Sequence, residues 1–209
     1  MIEGEQRCYT DRVALSVRQI TQAGAVLAQA FHTNPGFCAL LRDDTPATRL
    51  SLCTPLLTRF VAAVDRFGEV ELIEEGDAVQ AVALMFAPGQ YPEPLRFQLM
   101  TAWPVLRFGP RRAQRFALMD RYMRKHHERA PHWYLWFLGV LPELQGRGLG
   151  SRLLRSLTER AARDGAPCYL ETDKLSSVRL YERHGYVVQR TGKVPKLAFD
   201  MWLMKQPRA

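Results

Sequence analysis

The residues of the 209-residue chain best suited to chemistry form one short run, Gln145-Gly146-Arg147-Gly148-Leu149-Gly150, followed by Ser151. Glycines at alternate positions let successive main-chain N–H groups turn toward one centre, and a helix that begins there adds partial positive charge. Such a turn suits an anion, and the ligand class it points to is a phosphate or pyrophosphate. Two common phosphate patterns do not fit. G-x-x-x-x-G-K-[ST] needs a lysine that is missing here. G-x-G-x-x-G needs a longer step between its second and third glycines than Gly148 to Gly150 provides. The same glycines can instead do no more than tighten a strand–helix joint.

The flanking residues must position this turn. Trp133 to Val140 is apolar at nearly every position, as a strand covered on both faces is. After the turn, Leu149, Leu153, Leu154, Leu157 and Ala161 line one side of a helix expected to reach Asp164. Arg152, Arg155, Glu159, Arg160 and Arg163 fill its other sides, and Gly165 stops it. A strand at 168–172, a short helix at 176–183 and strands at 186–190 and 198–204 complete this half. In the first half, 12–18 alternates apolar and polar positions and reads as a strand. A helix is expected at 21–31 with Thr21 as its cap, ended by the turn residues 32–36. A second is expected from Thr45 or Pro46 to Arg66, then strands at 69–75 and 78–86 joined at Gly76-Asp77. Residues 95–129 read as helical, interrupted at Gly109-Pro110.

Composition narrows the class. Hydrophobic residues are 47% of the chain, with ten Phe, seven Tyr and four Trp, which excludes a largely disordered protein. No repeat or linker divides it, so residues 1–209 are expected to form a single domain. Cys8, Cys38, Cys53 and Cys168 lack zinc or disulfide spacing, and no metal is expected. The N-terminus has charges where a signal peptide needs an apolar stretch. The longest apolar run, Trp133 to Pro142, is half of the roughly twenty residues a spanning helix needs. A cytoplasmic protein with no membrane association is the expectation. The net charge of +8 favours anionic partners. Residues 101–130 hold eight Lys or Arg against Asp120 and Glu128 alone. The expectation there is a solvated helix face with Phe108, Phe116, Leu118 and Tyr122 packed inward, rather than a nucleic-acid surface.

The stretch His132 to Tyr186 resembles the GNAT superfamily of acyl-CoA N-acyltransferases. The resemblance rests on Leu138-Gly139-Val140 at the end of a strand, the turn from Gln145 to Gly150 fitting [QR]-x-x-G-x-[GA], Leu170-Glu171-Thr172, and Leu180-Tyr181-Glu182-Arg183-His184-Gly185-Tyr186. Two signatures at the proper separation are far more specific than either alone. The wording is most similar to the puromycin N-acetyltransferase-like group. Before residue 132 only Ala30-Phe31 and Asn34-Pro35 match that group.

The resemblance implies a mixed α/β fold with a mostly antiparallel central sheet of six to seven strands flanked by helices, splayed between its fourth and fifth strands. Residues 1–130 would serve the acceptor and 131–209 acyl-CoA. It implies acetyl-CoA as cosubstrate and transfer of the acetyl group to a primary amine by direct attack. A small amine is the first expectation and a protein N-terminus or lysine the second; a non-catalytic acyl-CoA sensor is the rival. The chain would act as a monomer or homodimer. The amides from Gln145 to Gly150, with Ser151, would hold the coenzyme phosphates, assisted by Arg147 or Arg152. Main-chain groups of Leu138, Gly139 and Val140 would pair with the pantetheine arm. Tyr181 would be the general acid to the departing thiolate. The group commonly has asparagine where this chain has Ser177, which reaches less far toward the pantetheine. Glu171 is the candidate general base, with Glu69 or Glu71 as alternatives facing the same cleft. His132 is expected to be a surface or capping residue.

Overall fold

A computed structural model describes residues 14–207. The chain begins with α1 (Val17–Phe31), α2 (Pro35–Leu40), α3 (Pro46–Phe67), β1 (Glu69–Glu75) and β2 (Ala78–Phe86). It continues through α4 (Leu95–Leu106), α5 (Pro110–His126), β3 (Trp133–Val140), α6 (Leu149–Arg163), β4 (Cys168–Thr172), α7 (Leu175–Glu182), β5 (Val187–Lys193) and β6 (Asp200–Gln206). The six strands form one sheet in the order β1-β2-β3-β4-β6-β5. Every neighbouring pair is antiparallel except β3 and β4. Helices cover both faces: α1 and α3 pack into one apolar cluster with β2, and α6 and α7 into another.

Two expectations for the first half need correction. Among the described residues no strand precedes α1; positions 12 and 13 lie outside them, and Val17 and Arg18 are already helical. The Ser16 side chain accepts from Gln19 N–H while Gln19 answers to the Ser16 amide, a reciprocal cap that a short alternating pattern cannot outweigh. The helix therefore begins ahead of Thr21, whose hydroxyl instead donates to Val17 O. With that strand absent, the two parallel strands at the sheet's centre are β3 and β4. Gly24 then lets α1 lie directly on α3, since a Cβ there would sit 2.1 Å from Thr58 Oγ1.

The second half follows its pattern closely. Leu153, Leu154 and Leu157 of α6 are fully buried against the sheet, each contributing on the order of 2 kcal/mol before entropy. Gly165, at φ +60, ends the segment after α6. The parallel pairing of β3 with β4 is short: Trp133↔Cys168, Tyr134↔Tyr169 and Leu135↔Leu170. Beyond Leu135 the strands part, and Trp136 to Val140 take no partner from β4. The sheet is therefore open on this side of β3, where the glycine turn follows.

The basic segment does more than face water. Arg112 holds Asp44 at 2.6 Å, Arg115 holds Asp43 at 2.6 Å, and Arg124 reaches both Asp120 and Glu93. Arg115 is itself buried. These arginines fasten α5 to the turn between α2 and α3 and to the segment before α4. Tyr122 packs inward as expected, and Phe108, Phe116 and Leu118 are partly buried.

Candidate active site

The opening between β3 and β4 leads into a cleft of about 360 Å³. One wall comes from Leu138 and Val140 on β3, then Gln145, Gly146, Gly148, Leu149, Gly150 and Ser151. Gly146 at φ +80 and Gly148 at φ +82 take the left-handed conformation this turn requires. A Cβ at either position would touch nothing, so their demand is conformational. Gly148 caps α6, and the first helical main-chain bond runs from Arg152 N–H to Gly148 O at 3.0 Å. The amides of Leu149, Gly150 and Ser151 precede that first bond and have no preceding turn to bond, and all three residues line the cleft.

Gly139 and Arg147 do not line the cleft. A Cβ on Gly139 would lie 2.8 Å from Leu27 Cδ2, so this glycine lets α1 approach β3. Arg147 and Arg152 are exposed. The remaining positions expected to bind coenzyme, Ser177 included, come together on the cleft.

The other wall brings Ala30, Phe31 and Asn34 from the first helices, Glu171 and Thr172 from β4, and Tyr181 from α7. Tyr181 is buried; desolvation, and to a smaller extent the Asp173 carboxylate, push its phenol well above the ordinary value, so it keeps its proton at neutral pH. Asp173 accepts from Gly36 N–H at 2.6 Å and fixes the start of α2. Beside it, Asn34 is 7% exposed and its Oδ1 has no hydrogen-bond partner.

The Glu171 side chain is 2% exposed and lies 3.1 Å from His127 Nδ1. His132 is buried too, which corrects its expected place at the surface. Its Nε2 is 3.1 Å from His127 Nε2, its Nδ1 is 2.7 Å from Ala130 O, and desolvation lowers its imidazole below the ordinary value. Glu69 and Glu71 are likewise corrected. Neither lines the cleft; both are held by Arg160 of α6, and Ser156 also donates to Glu71 at 2.8 Å. Glu69 and Glu71 alternate on β1, and the arginine that holds them lies about ninety positions later on α6.

Sequence reasoning missed His127 as a functional candidate. It follows α5 in sequence and meets Glu171 forty-four positions later, a contact that no local spacing encodes. Asn34 was noted only for its pairing with Pro35.

A sheet parted between two parallel strands, with a glycine turn and helix N-terminus at the opening, is the fold expected of an acyl-CoA N-acyltransferase. Residues 115–186, about a third of the chain, match the model of the acetyltransferase (GNAT) family. A curated relative, an uncharacterized N-acetyltransferase of Schizosaccharomyces pombe, is 35% identical over 65 residues. That match spans 31% of this chain and only 26% of the relative. Among solved structures, a histone acetyltransferase HPA2-related protein from Corynebacterium glutamicum aligns with a TM-score of 0.63 at 18% identity, over 94% of this chain and 95% of its own. Arylalkylamine N-acetyltransferase 2 of Aedes aegypti aligns with a TM-score of 0.63 at 14% identity, over 93% and 97%. At such identities these two likenesses speak for the fold alone. No described helix is long and apolar enough to cross a membrane.

Proposed function

We propose that this chain transfers an acetyl group from acetyl-CoA to the primary amine of a small molecule. The observation that carries the reading is the cleft itself. It joins the glycine turn, Leu138 and Val140 on one wall to Glu171 and Tyr181 on the other. The fit to the coenzyme follows from residue chemistry. Amides from Gly148 to Ser151 suit its phosphates. The unpaired edge of β3 near Leu138 to Val140 suits the amides of its pantetheine arm, and the N–H at Val140 suits the thioester oxygen as it gains charge. Ser177 supplies a short polar contact on the α7 side. When bound, the coenzyme supplies the acetyl thioester.

The chain's own groups then move protons. Glu171 takes a proton from the acceptor ammonium, the freed nitrogen forms the C–N bond as the C–S bond breaks, and Tyr181 gives its hydroxyl proton to the sulfur. The second proton, shed by the new amide nitrogen, restores the Tyr181 hydroxyl, so that one proton in all is left on Glu171. The elevated phenol keeps that proton ready until a thiolate arrives. A small acceptor is favoured over a protein because the acceptor shares a cleft of about 360 Å³ with the coenzyme.

Acetyl-CoA should raise the melting temperature, and thiol release should follow with at least one member of a panel of small amines, not with peptides alone. Tyr181→Phe should lower kcat by about tenfold or more while acetyl-CoA affinity stays within about twofold. Release only with peptide N-termini or lysines would move the acceptor to the protein class. Coenzyme binding with no release for any amine or peptide would leave a sensor.

A further inference from the structure

Glu171 belongs to a larger buried set than one proton transfer requires. His127 lies behind it, in van der Waals contact with Tyr91, whose ring centroid is 3.8 Å away. Tyr134, Tyr169 and His132 surround His127 at centroid distances of 4.6, 4.8 and 5.0 Å. Burial pushes the phenols of Tyr91, Tyr134 and Tyr169 upward, so none of them ionises near neutrality. The nearby charges are engaged elsewhere: Glu93 with Arg124, and Glu128 with Lys205. Glu171, His127 and His132 are left in contact with one another, Glu171 to His127 and His127 to His132, each at 3.1 Å.

Their contacts fix where protons can sit. Ala130 O only accepts, so a neutral His132 carries its proton on Nδ1 and turns a bare Nε2 toward His127. His127 must then donate from its own Nε2 across 3.1 Å. A neutral His127 consequently presents a bare Nδ1 to the Glu171 carboxylate, two lone pairs at 3.1 Å. One added proton turns that contact into a hydrogen bond and takes the trio from a charge of −1 to neutrality, which burial favours. A second added proton would leave a buried positive charge.

We propose that Glu171, His127 and His132 act as one proton acceptor with room for a single proton, in which Glu171 meets the amine and the two histidines stabilise the proton behind it. The proposal rests on the transferase reading. The proton lost by the ammonium ends on the Glu171–His127 contact, and no other bond changes there. Glu171 is the catalytic residue, the one member of the trio lining the cleft. His127 and His132 are positioning residues.

Two measurements decide it. In protein labelled with ¹⁵N-histidine, imidazole shifts at neutral pH should show His132 protonated on Nδ1 and bare on Nε2, and His127 protonated on Nε2. A His132 protonated on Nε2 would overturn the proposal, whatever the enzyme does. In steady-state kinetics, Glu171→Gln should fold, since its amide can donate to His127 Nδ1, yet lower kcat/KM by about 10²-fold or more. His127→Gln should move the acid limb of the pH–rate profile and lower kcat by roughly tenfold, with acetyl-CoA KM changed by less than about twofold. A Glu171→Gln enzyme within about threefold of wild type, or an acid limb unmoved in His127→Gln, would also overturn it. Wild-type protein that releases no thiol would fail the transferase reading instead, and the nitrogen shifts would still decide the proton map.

Discussion

In the proposed reading, the groups that serve the coenzyme along one wall of the cleft belong to the main chain, from Leu138 and Val140 through the glycine turn to Ser151. Along the other, that reading assigns the work to side chains, Asn34, Glu171 and Tyr181, brought from three separate elements and backed by His127 from a fourth segment. A main-chain wall depends on backbone conformation and tolerates changes of side chain. A side-chain wall depends on each terminal atom and on the packing that aims it.

The largest effect that separates the walls should come from Gly148→Ala. At φ +82 a Cβ costs roughly 1–2 kcal/mol, although nothing stands in its way. That predicts a melting temperature lower by about 2–8 °C. It also predicts an acetyl-CoA KM raised about tenfold, with the acceptor KM nearly unchanged. Arg147→Ala in the same turn should change either constant by less than about threefold, because its side chain is exposed and off the cleft. If Arg147→Ala weakens acetyl-CoA as much as Gly148→Ala does, the turn binds by charge rather than by its amides.

A smaller and opposite pattern is expected across the cleft. Asn34 Oδ1 is a buried acceptor with no partner, a state that costs about 1–3 kcal/mol unless a ligand donates to it. Asn34→Ala should therefore leave the melting temperature of the free protein unchanged or slightly higher. The acceptor KM should rise about fivefold, a loss near 1 kcal/mol, while the acetyl-CoA KM holds. A fall in stability with both constants unchanged would show that Asn34 serves only the start of α2.

The same contrast explains what could be read in advance. The glycine turn, β3 and α6 are contiguous, and each signal is local: a run of apolar residues, glycines at alternate positions, leucines at helical spacing. All three elements stand where the sequence put them, as do β1 and β2. The side-chain wall is a matter of distant encounters. Glu171 can be nominated because it lies near the end of β4, but its partner His127 comes from the segment that follows α5. Glu69 and Glu71 are equivalent to it by pattern and differ only in that Arg160 holds them. The expectation of a strand at 12–18 gives way, from Val17 on, for a local reason: the Ser16–Gln19 cap starts α1 ahead of Thr21.

The smallest effect concerns the frame behind the side-chain wall. Glu128 accepts from Lys205 at 2.6 Å and from the amides of Arg129 and Ala130, and so shapes the turn between His127 and His132. Lys205 first, then those amides, hold its carboxyl down at about 2. A carboxylate lowered on folding stabilises the fold above its unfolded value, near 4.3, and that contribution is lost as pH falls through the folded value. Glu128→Gln should therefore melt earlier than wild type at pH 7, with the gap narrowing progressively from about pH 4.5 downward. Turnover at neutral pH should fall by less than about twofold, since Glu128 touches neither the cleft nor the His127 ring nitrogens. A gap that persists unchanged at pH 3 would assign the loss to packing in the turn. A large drop in turnover without any change in melting would instead make Glu128 part of the proton-holding set, and the boundary of the side-chain wall would move outward to Lys205 on β6.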